Sequence, residues 1–250
     1  MHDKIKQYES DILDRASMYQ DNLKLQDAKN AFHDELVNVK YAYNFTWMGV
    51  PIIQEPQDLI ALQEIIWRTK PDTIIETGIA WGGSLLFYAS MLDLLKSCED
   101  ICYADVIGVD IDIRQHTRDI IENHPLRDSI GLIEGSSIDE DIIAFVTDEW
   151  SEDANTMVVL DSNHTHDHVL AELRAYAPLV SKGCYCVVND TGIEDLPTGS
   201  TSDRPWGKGN NPKTAVHEFL KENDDFVIDK DIEGKLLLTG APDGYLRRVK

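Results

Sequence analysis

Several short stretches of this 250-residue chain hold residue types that can do chemistry together. The first runs Ile74-Ile75-Glu76-Thr77-Gly78-Ile79-Ala80-Trp81-Gly82-Gly83-Ser84. Two β-branched residues make a short buried strand with Glu76 at its end. Gly78, Gly82 and Gly83 then permit a tight turn that a ligand can approach closely. Ser84 is placed to cap the apolar helix that follows. The spacing is not Gly-x-Gly-x-x-Gly, because Ala80 stands where the second glycine would be, and no Gly-Lys-Ser/Thr follows as in a P-loop. An acid beside such a turn suits a nucleotide-type ligand with a cationic amino group, as S-adenosylmethionine has. About 30 residues on, the run Val-Ile-Gly-Val-Asp110-Ile111-Asp112 puts Asp110 at a strand tip, ready to accept hydrogen bonds from ribose hydroxyls. Ser136, in Glu134-Gly135-Ser136-Ser137, suits the edge of an adenine pocket. The cofactor set is thus Glu76, Gly78, Ala80, Gly82, Ser84, Asp110, Ile111, Ser136 and, bordering it, Asp161.

A second cluster forms at two further strand ends. Asp161 closes Val158-Val159-Leu160-Asp161, and Asn189-Asp190 follow Val187-Val188. Neighbouring strands lie about 5 Å apart, so these three tips can converge. Two carboxylates and an amide oxygen are hard ligands suited to Mg²⁺, which keeps sites for substrate oxygens. His164, three residues past Asp161, reads as a general base beside a substrate hydroxyl. His164, His166, Asp167 and His168 nearly spell the His-x-His-x-Asp-His motif of metallohydrolases, one residue short between His166 and Asp167. A dinuclear metallohydrolase on these histidines is one alternative, and a catalytically idle cofactor-binding module is another. In the preferred reading His166 and His168 cap or line the next helix.

These residues need a scaffold that brings strand tips together. Strands are expected at 73–77, 105–110, 131–134, 157–161 and 184–189, and helices at 57–69, 84–97, 114–123, 139–147, 167–178 and 212–222. Strands at 226–230 and 235–239 flank Asp231-Ile-Glu-Gly234 and read as a closing hairpin. Such alternation predicts a doubly wound, mostly parallel, Rossmann-like seven-stranded α/β sheet with one antiparallel strand near its edge. Ahead of it, Ile5, Tyr8, Ile12, Ala16, Tyr19 and Leu23 recur at steps of three and four. They mark an amphipathic helix over 3–38, broken near residues 20–25. The aromatic-rich stretch 41–56 reads as an ordered loop. The expected division is a helical lid segment, 1–56, and a catalytic domain, 57–250. Residues 191–211, rich in Gly, Pro, Ser and Asp, form a long loop on the carboxyl side of a strand. Within it Arg204 can pair with a phosphate or carboxylate and Trp206 can stack on a ring, so both belong to the substrate set with His164.

The motifs together resemble the family named for cephalosporin hydroxylase and rhamnosyl O-methyltransferase. The carriers are Glu76-Thr-Gly-x-x-x-Gly-Gly-Ser84, Gly108-Val-Asp-Ile-Asp112, Leu160-Asp-Ser-x-His-x-x-x-His168, Asn44-Phe-Thr-Trp47 and Arg204-Pro-Trp-Gly-x-Gly-Asn-Asn-Pro212, over roughly residues 43–245. The resemblance implies a class I S-adenosylmethionine-dependent methyltransferase acting on the hydroxyl of a sugar, nucleotide-linked or glycosyl, or of a similar polyhydroxylated metabolite. The layout is also similar to catechol O-methyltransferase, with Glu76, Gly78, Gly82 and Ser84 in its cofactor loop and Asp161 at its first metal acid. His164 falls where that enzyme places its lysine base. One departure is Asn189-Asp190, where the family usually has Glu-Asp.

Composition narrows the partners. With 45 acidic against 23 basic residues the net charge is −22, which repels nucleic acid phosphates and anionic lipid. No run approaches a membrane span, and Met1 to Ser10 lack the apolar core of a signal peptide, so the expectation is cytoplasmic. Cys98, Cys102, Cys184 and Cys186 read as reduced, mostly buried thiols. The long apolar stripe before residue 40 predicts self-association into a homo-oligomer.

Overall fold

The computed structural model describes residues 2–99, 101, 104–149, 151, 153–197 and 199–250; Cys102 lies outside them. Two helices lead, α1 (His2–Asp21) and α2 (Leu23–Asn38). They break at Asn22, whose side chain accepts the Leu25 N–H and caps α2. The stretch expected as a loop is a 3₁₀ turn at Tyr41–Asn44 followed by a hairpin, β1 (Phe45–Trp47) and β2 (Val50–Ile52). Met48 and Gly49, at φ +50° and +85°, form its two-residue turn.

Then come α3 (Pro56–Thr69), β3 (Thr73–Thr77), α4 (Gly83–Cys98), β4 (Asp105–Asp110), α5 (Gln115–Glu122), β5 (Ile130–Glu134), α6 (Glu140–Glu149), β6 (Thr156–Leu160), α7 (His166–Tyr176), β7 (Tyr185–Val188), α8 (Pro212–Glu222), β8 (Phe226–Ile228), α9 (Lys230–Leu236) and β9 (Tyr245–Arg248). Among the described residues seven strands form one sheet in the order β5-β4-β3-β6-β7-β9-β8. β3, β4, β5, β6 and β7 run parallel, and β9 is antiparallel to both β7 and β8.

The expected closing hairpin is therefore wrong in its second half. Residues 231–234 do not turn between strands but lie inside α9, capped by Asp229, whose side chain accepts the Asp231 N–H. The partner of β8 is β9, ten residues further on than expected. Ser84 is also not the cap of α4: Gly82, at φ +83°, holds that position, and Ser84 lies in the first turn.

β3 is the switch point: the chain winds outward from it through β4 and β5 on one side and β6 and β7 on the other. Ligands bind doubly wound sheets at the carboxyl ends of strands beside such a point. β3, β6 and β7 are buried along their whole length, as strands covered on both faces must be. α3 packs on α4 and α9, while α7 packs on α8. The hairpin docks on α4, with Trp47 edge-on to Phe87 at 4.9 Å and its indole N–H donating to Ser90 Oγ. Val50 and Ile52 thereby join the core. α1 packs on α9, burying Ala16, while Ile5, Tyr8, Leu13, Met18 and Leu23 stay exposed. Among the described residues no helix is long and apolar enough to cross a membrane.

Candidate active site

Backbone hydrogen bonds lock the strand tips together. The Asp161 N–H donates to the Thr77 carbonyl, Gly78 N–H to Val109 and Asn189 N–H to Leu160. Gly78 turns at φ +83°, and a Cβ there would sit 2.1 Å from the Asp161 carbonyl oxygen. Only glycine allows the cofactor turn and the Asp161 tip to approach this closely. At the next wall, a Cβ on Gly83 would lie 2.3 Å from the Pro51 carbonyl oxygen, so β2 rests directly on the start of α4. A narrow cavity of about 30 Å³ remains between Ile52 and Gln54 on one side and Gly78, Ala80, Ser84 and Asp161 on the other.

Glu76 is 1% exposed at the floor of this turn. Its Oε2 accepts a 2.7 Å hydrogen bond from Ser84, and among the described residues its Oε1 has no partner. Burial pushes its pKa up to about 8, with the Asp110 charge adding to the rise against the Ser84 bond. Asp110 reaches back over the turn: its Oδ2 accepts the Ile79 N–H at 2.9 Å and the Ala80 N–H at 3.3 Å. Ala80 takes φ +44°, a rare value for a residue with a Cβ. Ile111, beside Asp110, is 74% exposed and presents a bare apolar side chain at the same rim. Ser136 is half-buried just past β5, where its carbonyl accepts the Asp139 N–H that starts α6. Trp81 lies at the mouth of the turn against His116, ring centroids 4.6 Å apart.

On the other side of Gly78 the second cluster assembles. Among the described residues, Asp161, His164 and Asp190 each bring a ligand atom within 4.8 Å of the others. Asp190 takes φ +57°, a left-handed turn that acidic side chains tolerate, and its Oδ2 lies 3.1 Å from His164 Nε2. Burial, then the charges of Asp190 and Glu76, push the Asp161 pKa well above the usual carboxylate range. Asn189 is buried and differs from the expected ligand geometry: its amide nitrogen, not its oxygen, faces Asp161, donating to Oδ2 at 3.0 Å.

His166 and His168 point away from this cluster. His166 opens α7, its Nδ1 2.8 Å from Thr214 Oγ1 and its Nε2 3.3 Å from Glu218. His168 Nε2 lies 3.0 Å from Ser137 Oγ and 3.1 Å from Ser162 Oγ. The three histidines do not converge, which removes the geometry a dinuclear metallohydrolase needs.

The 191–211 loop closes over His164. Trp206 meets the imidazole edge-on at 4.8 Å, and the Arg204 guanidinium carbon lies 5.5 Å over the indole. Asn210 Oδ1 accepts the His166 N–H and Asn211 caps α8, so the far end of the loop is tied to the helices behind the site.

Two participants had no sequence signal. Gln54, next to the hairpin, brings its amide nitrogen 3.4 Å from Asp161 Oδ2. Behind Asp161, Ser162 donates at 2.6 Å to Glu172, which is fully buried with Oε2 unpartnered. Long-range packing delivers both, and neither sits in a motif.

Comparisons with known proteins identify the family and the fold. The rhamnosyl O-methyltransferase of Mycobacterium tuberculosis (strain ATCC 25618 / H37Rv) is 29% identical over 208 residues, covering 81% of this chain and 78% of that protein. Among solved structures, the apo-structure of CmcI superposes with a TM-score of 0.60 at 17% identity, over 83% of this chain and 77% of that one. CmcI with Mg and SAM gives 0.58 at 18% identity, over 83% and 78%. At such identities these two show the shared fold, that of class I O-methyltransferases. The model of the family described as Rhamnosyl O-methyltransferase/CmcI matches residues 39–249, and the chain belongs to that family.

Proposed function

We propose that this enzyme, a SAM-dependent O-methyltransferase by family, methylates a hydroxyl of a sugar or a similarly polyhydroxylated small molecule, with Mg²⁺ at the Asp161 tip and His164 as general base. The observation that carries the reading is the pairing across Gly78. A buried carboxylate with one unpartnered oxygen lies on one side, and an Asp-His-Asp cluster lies on the other. The first suits the cationic methionine end of the cofactor, and the second suits a divalent cation with a hydroxyl beside it.

The residues present fit both groups. Glu76 and the Gly78–Ser84 turn hold the amino acid end, Asp110 takes the ribose, and Ile111 and Ser136 flank the adenine. Asp161 and Asp190 supply the metal carboxylates, and Asn189 orients Asp161 through its amide. Burial and the Asp190 charge raise the pKa of Asp161, a cost that a bound cation relieves. The bound groups supply an electrophilic methyl and, from Mg²⁺, a lowered pKa for a coordinated hydroxyl. The chain does the rest. His164, oriented by Asp190, accepts the hydroxyl proton, while Trp206 and Arg204 position the acceptor and exclude water. That the mycobacterial relative is a rhamnosyl O-methyltransferase supports a sugar here, as does an acidic chain that disfavours nucleic acid.

The hairpin and leading helices of residues 1–56, together with the 191–211 loop, are the parts we assign to enclosing the acceptor. The exposed apolar residues of α1 and α2 are assigned to self-association. The free thiols Cys184 and Cys186, both buried, fit a reducing cytoplasm.

The test is S-adenosylhomocysteine release from S-adenosylmethionine with nucleotide-linked and glycosyl sugars, with and without EDTA. Acceptor-dependent release that Asp161→Ala abolishes supports the reading. Full activity in EDTA removes the metal and leaves His164-assisted transfer.

A further inference from the structure

The opposite end of the sheet carries a second concave site, which methyl transfer leaves unused. It encloses about 360 Å³ and is lined by Arg68, Asn155, Lys182, Gly183 and Arg247, with Thr69 and Cys184 at its floor. Asn155 directly precedes β6, whereas Asp161 directly follows it. At about 3.3 Å per strand residue the two sites are therefore about 20 Å apart. Lys182 and Gly183 lead into β7, and Arg247 on β9 pairs with Tyr185, the first residue of β7.

Among the described residues three cations line this hollow and no carboxylate does. In a chain with 45 acidic and 23 basic residues, this is a local reversal of the prevailing field, which a concave surface concentrates. One cation is held in place: the Arg68 guanidinium donates to the Tyr185 hydroxyl and lies 5.4 Å over that buried ring. The other two are free to engage a ligand. Lys182 and Arg247 are exposed, and among the described residues neither has an ion-pair partner. Of the nearby acids, Asp229 is ion-paired with Arg68, and Asp72 is hydrogen-bonded to its own neighbours. Asp229 accepts from the Tyr185 hydroxyl and the Asp231 N–H, with Arg68 at 3.7 Å. Asp72 accepts from the Asn155 N–H and Thr73.

We propose that this hollow is an anion site for a phosphate-bearing small molecule, bound separately from the methyl-transfer site. Two guanidinium forks and an ammonium match the several oxygens and multiple charge of a phosphate or diphosphate better than a single carboxylate.

The experiment titrates inorganic pyrophosphate into the full chain by calorimetry, at fixed ionic strength with EDTA present, with and without saturating S-adenosylhomocysteine. The expected result is one site, with an affinity unchanged within about twofold by S-adenosylhomocysteine. The Lys182→Gln/Arg247→Gln double variant should weaken binding at least tenfold while keeping its own affinity for S-adenosylhomocysteine. No binding up to several millimolar, displacement by S-adenosylhomocysteine, or equal binding by the double variant overturns the proposal.

Discussion

Glu76 sets the electrostatic tone of the site. A carboxyl group with a pKa near 8 is mostly protonated at neutral pH in the free enzyme. An ammonium placed beside it favours the carboxylate, so cofactor binding at pH 7 should release close to one proton. Calorimetric titration of S-adenosylhomocysteine in buffers of different ionisation enthalpy measures this, and proton release should fade above pH 9. Because the folded pKa is raised, the stability contributed by the neutral group is complete below about pH 4.5. It is lost as pH rises through about 8, on the order of 5 kcal/mol for a shift of this size. Glu76→Gln keeps the bond from Ser84, so its thermal unfolding should change less between about pH 4.5 and pH 8 than that of the wild type. Its cofactor affinity should fall at least tenfold. His164, which meets Asp190 and Trp206, is expected to behave differently. His164→Ala is expected to lower kcat by about 10²–10⁴ while leaving affinity for S-adenosylhomocysteine within twofold. Loss of cofactor affinity in that variant would assign His164 to holding the fold of the pocket instead.

At the scale of elements, the site depends on close approach between turns and tips. In Gly78→Ala the new methyl meets the Asp161 carbonyl at a backbone angle that L-residues rarely adopt. A loss of at least about 3 kcal/mol in unfolding free energy is expected, measured by urea denaturation. Gly83→Ala should instead lift the hairpin from α4, weakening cofactor binding more than global stability. The parallel strands and their tips were legible because each is a β-branched run ending in an acid or amide, and the glycine turn was legible from its spacing. Other elements were not. Met48-Gly49 turns the hairpin without the Asn-Gly or Asp-Gly pair that usually marks one. Lys235-Leu-Leu-Leu-Thr239 is a short apolar run whose periodicity cannot separate strand from helix. Only Lys235 and Leu236 of that run fall in α9, which packs on α1 and α3, and Leu237 leaves the helix at φ +65°. The approach of Asp161 to Asp190 followed from neighbouring strand tips, with Asn189 expected as the third ligand and His164 beside them as a base; the structure instead groups Asp161, Asp190 and His164. The inward-facing amide nitrogen of Asn189 and the reach of Gln54 depend on side-chain packing that no motif encodes.

Across the whole molecule, the family match starts at residue 39, so α1 and α2 stand outside the matched region while still packing on the core through Ala16 and Leu36. A variant beginning at residue 40 should stay folded but assemble into particles of fewer chains by light scattering, with kcat/KM reduced severalfold. An unchanged number of chains per particle rules out self-association through these helices, and an unchanged kcat/KM rules out their part in the lid. We propose that one cleft joins the Glu76 turn to the Asp161 tip, so that methyl passes from cofactor to a sugar hydroxyl. Mass-spectrometric detection of a methylated sugar, formed from S-adenosylmethionine by the wild-type chain and absent with Asp161→Ala, tests it most directly. Acceptor-dependent product from the wild type, with none from a variant that still binds S-adenosylhomocysteine, is the predicted result. An Asp161→Ala chain that methylates the same sugar at the wild-type rate would contradict it.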